Sequence, residues 1–207
     1  IDMNLRSAAF FALAFTTIVF AAQKVAVNTA DWKSFSTKDG KFTIRAPKTW
    51  GSADPNDATS KEAMEKIKAN NPKMAKMFDG QENQFDLYLF DFSGDASKGL
   101  NNLNLKTLKD SGLTPALYPD VAVEVVKQTN MKNSGWKVID LPAGKTLNYW
   151  GDLSLALGDG QTITLKTQGY LTVKENIAYI CTMTTTPVQE KTEKPIFDAM
   201  AKTIVLK

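Results

Sequence analysis

Histidine is absent from this chain, and cysteine occurs once, as Cys181. The first absence removes imidazole bases, imidazole metal ligands and imidazole pH switches. The second removes an internal disulfide and a thiolate metal cage. Charge is close to balanced: 25 Lys and Arg against 22 Asp and Glu leave +3. That is too little for affinity built on clustered phosphate neutralisation, so no nucleic-acid partner is expected. Internal repeats, low-complexity stretches and long linkers are missing too. What is present is ordinary for a globular protein, with 43% hydrophobic and 23% charged residues over a length of 207, enough for one domain or two small ones.

The amino terminus reads as an address. Arg6 precedes a run of apolar and small residues from Ser7 to Ala22, and Val19-Phe20-Ala21 presents an aliphatic and a small residue where a signal peptidase cuts. Residues 1–21 are therefore expected to be a signal peptide cleaved after Ala21, with Ile1 and Asp2 ahead of Met3 as non-native leading residues. The rival reading is a retained anchor. Against it, the uncharged run is short of the ~20 residues of a spanning helix, Thr16 and Thr17 weaken it, and no basic cluster follows. Without a cysteine near the cut, a lipid-anchored lipoprotein is excluded. Residues 22–31 read as a flexible lead-in, and 32–207 as a single domain.

Within that domain, Trp32–Ser36 and Lys41–Ala46 alternate apolar and polar residues around Asp39-Gly40, which predicts a hairpin. Pro47 should end the second strand, with Trp50-Gly51 leaving it. Helical spacing follows over 61–70, with Met64 and Ile67 on one face, and Pro72 starts a short helix presenting Met74, Met77 and Phe78. A strand is expected over Phe85–Phe92, with Phe85, Leu87 and Leu89 on one face, then a short extended piece at Leu103–Leu105. A helix runs from Asp120 to about Met131, with Val121, Val125 and Met131 inward. A four-stranded meander comes next: Trp136–Leu141, Thr146–Leu153, Gln161–Val173 with a bulge at Gly169, and Ile177–Thr184, whose continuous apolar run marks a central strand. Pro187 ends it, and Val188–Ala201 is a helix with Ile196, Phe197 and Met200 at core spacing. This order predicts an α+β fold, an antiparallel sheet with helices packed on it. Phe42, Ile44, Leu165, Ile177 or Ile180, Tyr179, Phe197 and Met200 belong in or next to its core.

No motif carries chemistry on its own. Ser134-Gly135-Trp136-Lys137 has the Ser-x-x-Lys spacing of acyl enzymes, but Ser-Gly reads as a turn and Trp-Lys as a strand start, where that chemistry needs a helix. Asp91 and Asp95 could offer oxygen ligands to a hard cation, yet the Asp91–Asp95 spacing lacks a calcium-loop series, so a solvated strand-end turn is expected. Gly158-Asp159-Gly160 is a hairpin turn, since no helix start or Lys-Ser/Thr follows. Met64, Met74 and Met77 could ligate Cu(I), but their helical spacing fits core packing. Cys181 reads as a buried, inert thiol. Phe42, Trp50, Tyr88, Phe90, Phe92, Tyr149 and Trp150 could line a groove or partner surface, though apolar residues on strands are more often core. No catalytic, cofactor-binding or metal-ligating residue is assigned, and no cofactor is expected.

Three segments carry a family resemblance: Trp32-x-x-Phe35 with Asp39-Gly40-x-Phe42-x-Ile44-x-x-Pro47-x-x-Trp50; Leu141-Pro142-Ala143-Gly144 leading into Tyr149; and Ile177-Ala178-Tyr179 with Thr182-x-Thr184, before Phe197-x-x-Met200-Ala201-x-Thr203-Ile204. Together they resemble the PsbP-like superfamily, which includes the extrinsic PsbP protein of photosystem II, DcrB-type bacterial proteins and a Ran-binding nuclear factor. The resemblance implies an α/β/α sandwich around an antiparallel sheet and an accessory or binding role. Histidine-bearing and metal contacts of the photosynthetic members have no counterpart here, and no photosystem-docking motif matches. The expected function is a non-catalytic accessory or binding protein of the cell envelope, periplasmic or secreted. It would act on an unknown protein partner and meet the membrane only through its signal segment. The alternative is a small-molecule or metal-binding protein, or a hydrolase, with a site assembled from Asp, Ser and Lys. A cleft holding an Asp, Lys or Ser with a strongly shifted pKa beside Asp91 or Asp95 would favour the alternative, and a flat aromatic patch the accessory role. Protein exported by a Gram-negative host should begin at Ala22 on N-terminal sequencing. A start at Met3 in the membrane fraction would contradict the cleaved signal.

Overall fold

The computed structural model describes residues 27–52, 84–93, 101–157 and 160–207, together with the isolated positions 62, 65 and 69. The expected signal peptide, most of the helices expected between 61 and 78, and Asp95 lie outside the described residues. Glu62, Glu65 and Ala69 have helical backbone. Among the described residues, no helix is long and apolar enough to cross a membrane.

The first hairpin forms as its alternation predicts, from β1 (Lys33–Ser36) and β2 (Phe42–Ala46). Gly40 takes the left-handed conformation its turn needs, at φ 68°. Asp39 fastens the turn by accepting from the Thr37 hydroxyl at 2.6 Å and the Lys41 N–H at 3.1 Å. A third strand, β10 (Val205–Leu206), joins the far side of β2. The end of the expected flexible lead-in is held in place: Arg45 donates to the carbonyls of Thr29, Ala30 and Trp32, and Val27 packs against the core.

A seven-stranded antiparallel sheet follows. Its strands are β3 (Trp50–Ser52), β4 (Leu87–Asp91), β5 (Asn102–Leu108), β6 (Lys132–Leu141), β7 (Gly144–Leu157), β8 (Gln161–Lys174) and β9 (Ile177–Thr185). They lie in the order β3-β4-β5-β9-β8-β7-β6, so the Ile177 strand is central, as its apolar run predicts. Two helices complete the described elements, α1 (Tyr118–Thr129) and α2 (Glu190–Ala201). Pro119 enters α1 in its first turn, and Asn130 ends it in the left-handed conformation.

Strand alternation sorts the side chains into two cores. On one face, Leu103, Leu105, Tyr170, Tyr179, Cys181 and Met183 pack against α2 through Phe197 and Met200, and against the small sheet through Phe42 and Ile44. Phe42 stacks on Tyr179 with ring centres 6.3 Å apart, and Trp50 meets Phe197 edge-on. On the opposite face, Leu147, Tyr149 and Leu171 pack against Tyr118 and Ala122 of α1. The Tyr118 hydroxyl donates to the Lys145 carbonyl at 3.0 Å and accepts from the Val173 N–H at 3.2 Å, tying α1 to β7 and β8. The fold is thus α+β, an antiparallel sheet with a helix on each face, as expected.

Several expectations need correction. Trp50-Gly51 leaves the second strand as expected, but Trp50–Ser52 then forms a strand that was not expected, pairing with β4 at the edge of the large sheet. The extended piece at Leu103–Leu105 is a full strand of seven residues. Ser134-Gly135 is not a turn but part of β6. The bulge lies there, between Lys132 and Gly135, and not at Gly169. β7 and β8 pair without a break through Tyr149 and Gly169. Gly169 is glycine for another reason: the Tyr149 ring occupies the space above it, and a Cβ would come within 2.0 Å of the ring. Leu165 is half-buried and belongs to neither core cluster, because β7 and β8 run on together past the ends of β6 and β9.

Gly169→Ala should therefore destabilise the protein by about 2 kcal/mol, since the ring and the strand backbone on either side leave no slack. Urea unfolding followed by tryptophan fluorescence checks this. A midpoint equal to wild type would contradict the packing of Tyr149 on Gly169.

Candidate functional site

α2 and the small sheet do not cover the whole of the large sheet's main face. Between α2 and the edge strand β6 a cleft of about 390 Å³ remains open, within the size range of binding pockets. Strand register fixes its floor. Lys137 of β6 pairs with Asn148, which pairs with Tyr170; Gly135 pairs with Trp150, which pairs with Gln168; Asp152 pairs with Lys166. These rows bring Asn148, Trp150, Gln168 and Lys166 to the cleft, with Lys137 on the β6 side and Lys194 on the α2 side.

Most polar groups here are already engaged. The Lys166 ammonium lies 2.7 Å from Asp152 and 3.3 Å from Glu190, and Asn133 donates to Asp152 at 2.7 Å. The Lys166 contact, followed by the Asn133 amide, holds the Asp152 carboxyl below its usual range, and Asp152 in turn raises Lys166. Beside this triad, the Gln168 amide donates to the Tyr170 oxygen at 2.6 Å and to Asp198 at 2.8 Å. The Tyr170 hydroxyl donates to Asp198 at 3.0 Å, and Lys194 donates to the Gln168 carbonyl oxygen at 3.4 Å. Burial pushes the Tyr170 phenol well above its normal value, so it remains a hydrogen-bond donor. Asn148 is spent on the Gly169 carbonyl. Lys137 has no ion pair among the described residues.

Trp150 and Phe197 are the large apolar side chains lining the cleft; Phe197 is buried in the core, and Trp150 is more open. It is half-buried, and its ring lies directly over Gly135, where a Cβ would approach within 2.6 Å. The missing side chain at Gly135 lets the indole reach the sheet edge. The arrangement suits recognition: an aromatic surface, flanking ammonium groups and carboxylates engaged in fixed ion pairs. Both carboxylates in the cleft wall, Asp152 and Glu190, are engaged by Lys166.

Other residues singled out in the sequence fall elsewhere. Lys137 lines the cleft, while Ser134 sits in the bulged start of β6 and shares no helical turn with it. Asp91 is buried, not solvated, and accepts from the Ser93 N–H and hydroxyl at 3.0 and 2.7 Å. Cys181 is buried and its thiol is pushed up by desolvation. Of the seven aromatics considered for a groove, Phe42, Trp50, Tyr88, Phe90 and Tyr149 are buried, and Phe92 is half-buried with its ring over Gly51. Trp150 is the member of that set in the cleft. Met64, Met74, Met77, Gly158 and Asp159 lie outside the described residues. Among the described residues, no three Cys, Asp or Glu side chains converge as a metal site.

A shifted carboxyl does lie beside Asp91, but it belongs to a glutamate and not to the cleft. Glu193 of α2 is raised to about 6, first by burial and then by the Asp91 charge, with an Asn101 hydrogen bond opposing. Its Oε2 is buried without a partner. Glu193 faces the sheet end at Asp91, one turn from Glu190 yet outside the cleft wall. The sequence signal for the cleft was faint: polar Lys166 and Gln168 two apart on a strand, and Glu190 and Lys194 four apart on a helix.

No family model matches the chain, and no curated protein does. Solved structures do show likeness. Cyanobacterial PsbP from Synechocystis is 13% identical, over 87% of this chain and 95% of that one, with a TM-score of 0.47. LpqN of Mycobacterium tuberculosis, described as involved in cell envelope biogenesis, is 10% identical over 85% and 90%, with a TM-score of 0.49. The Ran-binding protein Mog1p of Saccharomyces cerevisiae is 7% identical over 85% and 95%, with a TM-score of 0.49.

Glu193 sets a pH dependence. Its carboxyl titrates near 4.5 when unperturbed and near 6 in the fold. The native state therefore holds the proton more tightly, and the group favours folding most below pH 4.5. That contribution is lost as the pH rises through about 6. Glu193→Gln should stabilise the protein at pH 7.5 by about 1 kcal/mol, after allowing for solvent screening, and change little at pH 4. Urea melts at the two pH values decide it, and an equal effect at both would contradict the shift.

Proposed function

We infer that the chain is a non-catalytic binding protein of the cell envelope, exported with loss of residues 1–21, whose domain over residues 32–207 engages a protein partner at the cleft between α2 and β6. The observation that carries this reading is Trp150, an indole spread over Gly135 at the mouth of a preformed cleft. Tryptophan in such a setting is a typical anchor of protein interfaces, with a large rigid apolar surface and little rotamer entropy to lose. The fixed pairs Lys166–Asp152 and Lys166–Glu190 supply polar complementarity without the need to reorganise on binding. The same cleft volume favours a second reading, a small ligand lying on the indole.

The test uses the tagged mature protein and its Trp150→Ala variant as baits on solubilised native envelope. A partner held by the wild type should be retained at least about tenfold more weakly by the variant, with both proteins melting alike. Equal retention by both would remove the cleft from the interface. A tightly bound small molecule without a protein partner would favour the second reading, and turnover of a metabolite would overturn the non-catalytic one.

A further inference from the structure

The inference here rests on the cleft as the binding site and names what enters it. β6 is the outer strand of the large sheet. From Gly135 to Leu141 it pairs regularly with β7 on one side, and no hydrogen bond links its other side to the described residues. Alternate N–H and C=O groups along that stretch thus point to solvent, an open template for another extended chain. Sheets commonly guard such edges with bulges and lysines, and β6 has both, in the bulge between Lys132 and Gly135 and in Lys137. It lacks the rest of a guarded design. Trp136 and Val138 stand 39% and 42% exposed on the same stretch, a large apolar surface to leave on an unprotected edge.

Gly135 gives the edge a direction. A chain added alongside β6 would set one residue next to Gly135, on the cleft side of the sheet. With no Cβ between, that side chain would meet the Trp150 ring directly, because the indole already fills the space above Gly135. Two residues along, the neighbour of Lys137 would face an ammonium that has no ion pair among the described residues, and the same holds for Lys132 at the bulge. Asp140, the acidic group on this strand, already faces Lys145 at 3.6 Å. The charge free to act on the incoming chain is positive.

We propose that β6 accepts an extended peptide segment of the partner as an added strand, with an apolar or aromatic side chain on Trp150 and an acidic side chain two residues away at Lys137. Main-chain hydrogen bonds to the β6 edge supply affinity, and the Trp150–Lys137 pair of positions supplies specificity.

The test selects phage-displayed random peptides of about nine residues, long enough to span the regular edge, on the mature protein. Enriched peptides should carry Asp or Glu two positions from an aromatic or large aliphatic residue. A synthetic peptide of the enriched sequence should bind at least about tenfold more weakly to Trp150→Ala. Lys137→Glu should weaken it about fivefold, with recovery when the peptide's acid is changed to Lys. Hydrogen exchange of the complex should show new protection at alternate amides of Gly135–Leu141. Trp150-dependent binding without that protection would overturn strand addition and leave the cleft as the site. Enrichment of basic peptides, or tighter binding by Lys137→Glu, would overturn the acidic preference. Selection of no Trp150-dependent peptide would count against the cleft itself.

Discussion

The contact of the Tyr149 ring with the bare backbone of Gly169 sets the register on which the rest depends. β7 and β8 are the longest strands, at 14 residues each, and a slip of one residue between them would exchange their two faces. The ring fits because Gly169, directly opposite, carries no Cβ for the buried tyrosine to strike. Once this pair is set, Tyr170 and Gln168 must face α2, and Leu171 must face α1. β9 then continues the same alternation with Cys181 and Met183 on the α2 side.

The cleft is a consequence of that register and of how little lies over the sheet's outer strands. Phe197 and Met200 draw α2 onto the central strands, where burial of apolar surface is greatest. On that face β6 and the adjoining part of β7 are left without a helical cover, α1 lying on the opposite face. The side chains lining this gap are polar apart from Trp150 and Phe197, and most of those polar groups have a partner, the buried Thr167 hydroxyl and Lys137 being exceptions among the described residues. Such a surface keeps its shape in the absence of a ligand. Glu193 shows the opposite arrangement: a carboxyl pressed against Asp91, with one oxygen unpaired, a local cost carried by a helix that the aromatic core holds in place.

Much of the architecture was legible because alternation and turn chemistry are local. Asp39-Gly40 marked the first hairpin, helical spacing from Asp120 to about Met131 marked α1, and the Ile177–Thr184 run announced the central strand. What escaped depended on distant partners. Trp50–Ser52 is too short to show a period and is a strand only because Asp91 and Phe90 lie opposite. Asn102 and Asn104 broke the apolar pattern of β5, though Asn102 accepts a hydrogen bond from Thr184 on the neighbouring strand at 2.8 Å. Gly169 looked like a bulge since a lone glycine in a strand has two explanations, and choosing between them requires knowing that Tyr149 sits opposite. The cleft was hidden for the same reason. Its lysines and carboxylates come from β6, β7, β8 and α2, and in sequence each reads as an ordinary solvated residue.

The register is tested most directly by NMR of the mature protein, through the Hα resonances of Gly169 and their contacts with the Tyr149 ring. The account predicts strong cross-relaxation between the ring protons and both Gly169 Hα protons, with those protons shifted well upfield by the ring current. Ordinary glycine shifts with no contact to Tyr149 would contradict it, and with it the placement of Trp150, Gln168 and Lys166 around a common cleft.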